Sequence, residues 1–170
     1  MRMIFVVISA TLFSYNTLAQ HPAPRTHSHN DYEQKEPFFA AYREGFNSIE
    51  ADVWLADGKL LVGHDQKDLQ ASRTLEDLYL KPILAKLKEN KGRPYPQKGK
   101  ELQLMIDIKS EATATLDALT ALIRKYPDLA KNKKLTVTIS GNRPPEDKWS
   151  SYPAFIHFDG RPGKSYAVDA

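Results

Sequence analysis

The chain contains no cysteine. That absence excludes disulfides, zinc–thiolate centres and thiol nucleophiles, so any site chemistry must come from oxygen and imidazole donors. Charge of one sign is also scarce: 24 Lys and Arg stand against 21 Asp and Glu, and the basic residues are scattered. A nucleic-acid-binding surface has no support in that distribution. Long hydrophobic runs are missing as well. The longest, Met3 to Phe13, falls well short of the ~20 residues that cross a bilayer. Arg2 before it and the small-residue end Thr17-Leu18-Ala19 after it read instead as a secretory leader over residues 1–19. The expectation is an exported protein, periplasmic or extracellular, with no stable membrane span after cleavage and one domain over residues 20–170.

What the chain does have is alternation. After the Pro-rich QHPAPRT, the segment PRTHSH reads as a short strand. EPFFAAYREGF places Phe38, Phe39, Tyr42 and Phe46 at helical spacing, a core stripe stopped by Gly45. NSIEADVWL is a strand, ADGK a turn and LLVGHD a second extended run. SRTLEDLYLKPILAKLKEN is helical, capped at Ser72 or Thr74, with Leu75, Leu78, Ile83, Leu84 and Leu87 apolar and Pro82 set to kink or split it. KGRPYPQKGK is a loop, ELQLMIDIKS a strand, and EATATLDALTALIRKYP a helix ended by Pro127. KKLTVTIS and AFIHFDG are further strands, joined by GNRPPEDKWSSYP as a loop or single helical turn. Strands alternating with helices predict an α/β fold with a parallel sheet. About five strands are legible, fewer than the eight of a (β/α)8 TIM barrel of about 250 residues. The expected architecture is therefore the N-terminal part of such a barrel, incomplete at its C-terminus.

Parallel α/β folds gather their chemistry at the C-terminal ends of the strands. Glu50 and Asp52, two apart on one strand, share a face, while Ile49, Ala51 and Val53 share the other. Like charges so placed repel unless a cation lies between them. Asp107, alternating with Ile106 and Ile108, supplies a third carboxylate; three oxygen donors point to one hard divalent ion, Mg2+ or Ca2+. The alternative for these acids is an ion pair with Lys109 or an arginine, or a place at solvated strand ends. His29 and His64 sit at strand ends near the acids and fit a general acid–base pair, with Asn30 or Asp31 available to orient the first and Asp65 the second. Lys109, His27 and Asn30 are candidate substrate-binding residues, and Asn142 and Trp149 could line the pocket.

The run from HSHNDY through AAYREGFNSIEADVWLADGKLLVGHD to LMIDIKS resembles the phospholipase C-like phosphodiesterase superfamily, which includes glycerophosphodiester phosphodiesterases and sphingomyelinase D enzymes. It is most similar to a branch in which HSHNDY replaces the more familiar His-Arg start. The resemblance implies a TIM-barrel phosphoric diester hydrolase with one divalent cation, acting on glycerophosphodiester or phospholipid-type substrates. It implies His29 and His64 as general acid and base, Glu50, Asp52 and Asp107 as metal ligands, and Lys109 near the phosphate. Spacing to Glu50 favours His29, with His27 the alternative. Asp107 follows the sphingomyelinase D pattern, where glycerophosphodiesterases usually carry Glu.

Two rival readings start from the same residues. The His27-x-His29 pair on a first strand also suits an amidohydrolase-like metallohydrolase, with His157 as a further ligand. Alternatively, the chain is an inactive truncated barrel fragment whose open sheet leaves an unpaired edge.

Overall fold

Apolar residues at every second position make three of the strands two-faced, and the remainder of the chain folds to cover the apolar side. A computed structural model describes residues 26–160; the leader expected over residues 1–19 lies outside the described residues. In β2 (Ser48–Ala56), Ile49, Ala51 and Val53 are fully buried. In β4 (Leu102–Ile108) and β5 (Leu135–Gly141) the matching positions are Leu104, Ile106 and Ile108, then Val137 and Ile139. Parallel pairing sets Ile49 beside Leu104 and Val137, and Ala51 beside Ile106 and Ile139. This face is one core with Leu116, Leu119 and Ile123 of α3 (Ala112–Arg124) and Ile83 and Leu87 of α2 (Lys81–Glu89). Each such side chain contributes about 1.5–3 kcal/mol on burial.

The opposite face is polar. Strand register aligns Ser48 with Gln103 and Thr136, Glu50 with Met105 and Thr138, and Asp52 with Asp107 and Ser140. The parallel strands run in the order β1 (His27–Ser28), β2, β4, β5, β6 (Ile156–Phe158), which matches the expected count of about five. A sixth, β3 (Lys59–Val62), pairs antiparallel with β2. Asp57 and Gly58 both take positive φ, 49° and 72°, the two-residue turn whose twist suits a hairpin. The sheet is thus mixed, because this turn sends the chain straight back instead of across a helix.

Local chemistry explains the helix ends. Glu111 caps α3 by accepting from the N–H groups of Thr113 and Ala114 at 3.0 and 2.6 Å, bonds that hold its carboxyl below the ordinary range. Thr74, rather than Ser72, accepts from the Asp77 N–H at 3.1 Å. The expected break at Pro82 takes the form of a π-helical turn, Glu76–Leu80, running into α2, where Pro82 occupies the first turn. Pro127 opens a further short helix, α4 (Pro127–Ala130), and GNRPPEDKWSSYP folds as a 3-10 stretch, Glu146–Ser151. The first helix, α1 (Phe39–Arg43), stops at Gly45, whose φ of 76° lets Gly45 and Phe46 donate to Tyr42 and Ala41. The aromatic stripe is core except at Phe39: Phe38 is fully buried, but Phe39 starts the helix on the outer side and is 38% exposed. No helix among the described residues is long and apolar enough to cross a membrane.

The link between β1 and α1 depends on Asp31, which is fully buried. It accepts from Ser28 Oγ at 3.0 Å, the Phe38 N–H at 2.5 Å and the Tyr79 hydroxyl at 3.0 Å. Burial and this negative neighbour push the Tyr79 hydroxyl well above the ordinary tyrosine range, so it remains a donor. Asp31→Ala leaves two buried donors unpaired and is expected to cost about 2–3 kcal/mol. In urea denaturation this appears as a lower midpoint with little change in slope.

Candidate active site

The polar face of β2 carries Glu50 and Asp52, and β4 brings Asp107 directly beside Asp52. The three residues each offer a carboxylate oxygen, all within 4.8 Å of one another. Glu50 and Asp52 are buried, with Asp107 partly covered. Among the described residues these three carboxylates form the group of side chains that could hold a metal ion.

Their hydrogen bonds are unevenly distributed. Asp52 Oδ2 accepts from the Tyr32 hydroxyl at 2.8 Å, and lies 3.0 Å from His64 Nδ1 and 3.2 Å from Lys109 Nζ. Asp107 Oδ2 accepts from Lys109 Nζ at 3.1 Å. The other oxygens, Asp52 Oδ1 and Asp107 Oδ1, are buried without a hydrogen-bond partner. Buried acceptors left empty are costly, and one ammonium among three carboxylates leaves the cluster net negative. Two unfilled oxygens and Glu50 fit a hard divalent cation as a donor set. Lys109 is the expected ion-pair partner of the acids, but it engages only their Oδ2 side. Burial lowers the Lys109 pKa; the hydrogen bond to Asp107 and the charges of Asp52 and Asp107 more than offset this and hold it above ordinary lysine.

The β2–β3 hairpin delivers His64. Val53 pairs with Val62, the Gly63 N–H donates to Asp52 O at 3.2 Å, and Trp54 Nε1 donates to Gly63 O at 3.0 Å. His64 then meets the Asp52 carboxylate, which fills the orienting role expected of Asp65. Asp65, next along an extended chain, is directed elsewhere and lies 3.7 Å from Lys67 Nζ.

The two N-terminal histidines differ. His27 is committed at both nitrogens, with Nδ1 2.8 Å from Ser48 Oγ and Nε2 2.8 Å from Glu50 Oε2. His29 Nε2 stands 3.9 Å from the same Glu50 oxygen, on a side chain that is 71% exposed. Neither expected orienting residue reaches His29. Asn30 takes a left-handed conformation and donates to Glu33 Oε1 at 3.4 Å, while Asp31 turns into the core. Asn142 braces the end of β4 by donating to Lys109 O at 3.2 Å and Ser110 O at 2.9 Å. Trp149 stacks on Phe158 at 4.4 Å; Phe158 pairs with Ile139, so the indole lies on the helix-covered side, away from the carboxylates. His157 shares a row with Glu50, but β4 and β5 intervene, a separation on the order of 14 Å by strand spacing. It is not brought to the acids.

Sequence reasoning passed over Tyr32, Ser48 and Gly141. Ser48 was open to the same two-residue periodicity that paired Glu50 with Asp52. Gly141 ends β5 at φ 66°, and a Cβ there would stand 1.9 Å from Asp107 Oδ1 and 2.6 Å from Ile108 O. The unbonded oxygen of Asp107 therefore occupies space that only glycine leaves open.

A family model, the AIM6-like phosphodiesterase domain, matches residues 17–142, a span that includes each of these acids and His27, His29, His64 and Lys109. The chain is similar to proteins named Altered inheritance of mitochondria protein 6. That of Eremothecium gossypii is 37% identical over 151 residues, covering 73% of this chain and 38% of the relative. That of Lachancea thermotolerans is 36% identical over 148 residues, covering 71% and 34%. The Kluyveromyces lactis protein is 32% identical over 168 residues, covering 76% and 40%. The chain thus spans about two fifths or less of the length of these curated relatives. No solved structure matches it.

Gly141→Ala is expected to displace the Asp107 carboxylate and to strain the backbone, destabilising the fold by about 1–3 kcal/mol. Thermal unfolding checks this, and a midpoint equal to that of the parent would contradict the close approach of Gly141 to Asp107.

Proposed function

The chain belongs to the AIM6-like phosphodiesterase domain family, and from that premise we propose that it hydrolyses phosphoric diesters with one divalent cation, Mg2+ or Ca2+. The observation that carries this reading is the pair of buried, unbonded oxygens on Asp52 and Asp107 beside Glu50, with His64 fixed to the other oxygen of Asp52. Glu50, Asp52 and Asp107 would hold the cation, which when bound screens phosphate charge and the charge developing in the transition state.

The proton chemistry falls to His29 and His64. In the cleavage step a hydroxyl oxygen, of the substrate itself in the resembling enzymes, forms a bond to phosphorus as the bond to the leaving oxygen breaks; where the hydroxyl is the substrate's own, the product is a cyclic diester that water then opens to complete the hydrolysis. One histidine takes the proton of the attacking hydroxyl and the other, charged, protonates the leaving oxygen. Asp52 binds His64 at Nδ1, so Nε2 is the nitrogen that carries the transferred proton. The exposed ring of His29 is suited to the second role, with His27 holding Glu50 in place. Lys109 provides a point charge for a phosphate oxygen at the edge of the acid cluster. The substrate we favour is a glycerophosphodiester or phospholipid-type diester.

On this reading the sheet corresponds to the first strands of a (β/α)8 barrel, and its polar rows to layers of the barrel interior. The strand order and the confinement of polar residues to one face support that assignment. An amidohydrolase-like site is less well supported, since His157 stands apart and the clustered donors are carboxylates.

The test is turnover of glycerophosphodiesters, lysophospholipids and sphingomyelin with Mg2+ or Ca2+. Activity should vanish with chelator and return with either ion. Return with Zn2+ alone would favour the amidohydrolase-like alternative. His64→Ala and His29→Ala should each lower kcat by about 10²–10⁴-fold. Undiminished turnover in the first would refute its role, and a deficit in His27→Ala larger than in His29→Ala would exchange the two N-terminal histidines.

A further inference from the structure

Tyr32 is buried, lies on no strand, and reaches the centre of the acid cluster. It belongs to the 3-10 turn Asp31–Glu33, and three contacts fix its position. Asp31 ties the turn to Phe38 and Tyr79, and Arg73 Nη2 donates to Tyr32 O at 2.5 Å. From there its hydroxyl donates to Asp52 Oδ2 at 2.8 Å and stands 3.4 Å from His64 Nδ1. Burial, followed by the hydrogen bond and charge of Asp52, pushes this phenol far above the ordinary tyrosine range, so it serves as a neutral donor.

The consequence lies in how Asp52 divides its two oxygens. Tyr32 Oη, His64 Nδ1 and Lys109 Nζ crowd Oδ2 at 2.8, 3.0 and 3.2 Å, and none reaches Oδ1. His64 and Lys109 are both groups the proposed reaction uses, so neither can be relied on to hold the carboxylate rotamer while it works. Tyr32 has no such second duty. Its single proton is spent on Asp52 Oδ2, so Nδ1 faces only acceptor lone pairs, from the phenol and the carboxylate, and Nδ1–H is the form that satisfies all three groups.

We propose that Tyr32 is a positioning residue: by binding Asp52 Oδ2 it keeps Oδ1 turned to the cation site and holds His64 in the Nδ1–H form with Nε2 directed to substrate. This rests on the phosphodiesterase reading for its kinetic consequence and on geometry alone for the rest. Hydrogen-bond partners that orient metal ligands typically carry about 10–100-fold in metal affinity or activity.

The test is Tyr32→Phe, which keeps the ring and removes only the hydroxyl. Titration calorimetry should show Mg2+ or Ca2+ binding weakened by about tenfold or more. The kcat should fall by a similar factor with KM little changed. Long-range 1H–15N correlation on the labelled chain, at a pH where the ring is neutral, should show the Nδ1–H tautomer of His64 in the parent and a mixture in the variant. Parental cation affinity and an unmixed tautomer in Tyr32→Phe would overturn the proposal. So would a bare Nδ1 in the parent, a measurement that needs no variant to fold. Should the parent cleave no diester, the functional reading fails, while the tautomer still decides the role of Tyr32.

Discussion

Three carboxylates held on one face of a sheet repel each other, and much of the surrounding structure can be understood as the means by which that repulsion is tolerated. Lys109 places one positive charge against Asp52 and Asp107, His27 fastens Glu50, and Tyr32 and His64 complete Asp52. The compensation is partial and one-sided: it fills the Oδ2 atoms and leaves the Oδ1 atoms bare. A purely structural ion-pair network gains stability by satisfying every buried acceptor. This one forgoes that gain at two adjacent positions, and Asp107 Oδ1 can lie where it does because Gly141 has no Cβ to collide with it.

The apolar face of the same sheet makes such an arrangement affordable. Ile49, Ala51 and Val53 alternate with the acids along β2, so the residues that anchor the strand in the core also fix where Glu50 and Asp52 point. A slip of one residue would bury the carboxylates among α2 and α3 and expose the isoleucine. Placement of the acids is therefore enforced by the hydrophobic core rather than by the acids' own interactions.

Legibility in the sequence followed the length scale of each signal. Period-two alternation located β2, β4 and β5 and placed Glu50, Asp52 and Asp107 on one face. The Asp57-Gly58 turn made the return of the chain towards His64 readable. Contacts between residues far apart were not readable in that way. Asp65 stands beside His64 in sequence, yet Asp52, twelve residues earlier, is what its ring meets. Asn30 and Asp31 adjoin His29, but one folds back on Glu33 and the other is claimed by Phe38 and Tyr79. Trp149 was drawn to Phe158 by stacking on the covered side of the sheet. Tyr32 carried no periodic signal at all, since its turn is set by a positive φ at Asn30 and by the Phe38 N–H and the Arg73 and Tyr79 side chains, all from other segments.

The hairpin that carries His64 has a consequence of another kind. Its arms are tied rung by rung from Val53–Val62 to Ala56–Lys59, and its turn has the minimum two residues. The number of residues between Asp52 and His64 thus works as a ruler. Adding or removing a single residue in either arm moves the imidazole about 3.3 Å along the strand and turns it to the opposite side of the ribbon. Substitutions in this segment can be absorbed side chain by side chain, but an unmatched insertion in one arm cannot, so changes of length must come in matched pairs at the tip or in loops beyond the hairpin.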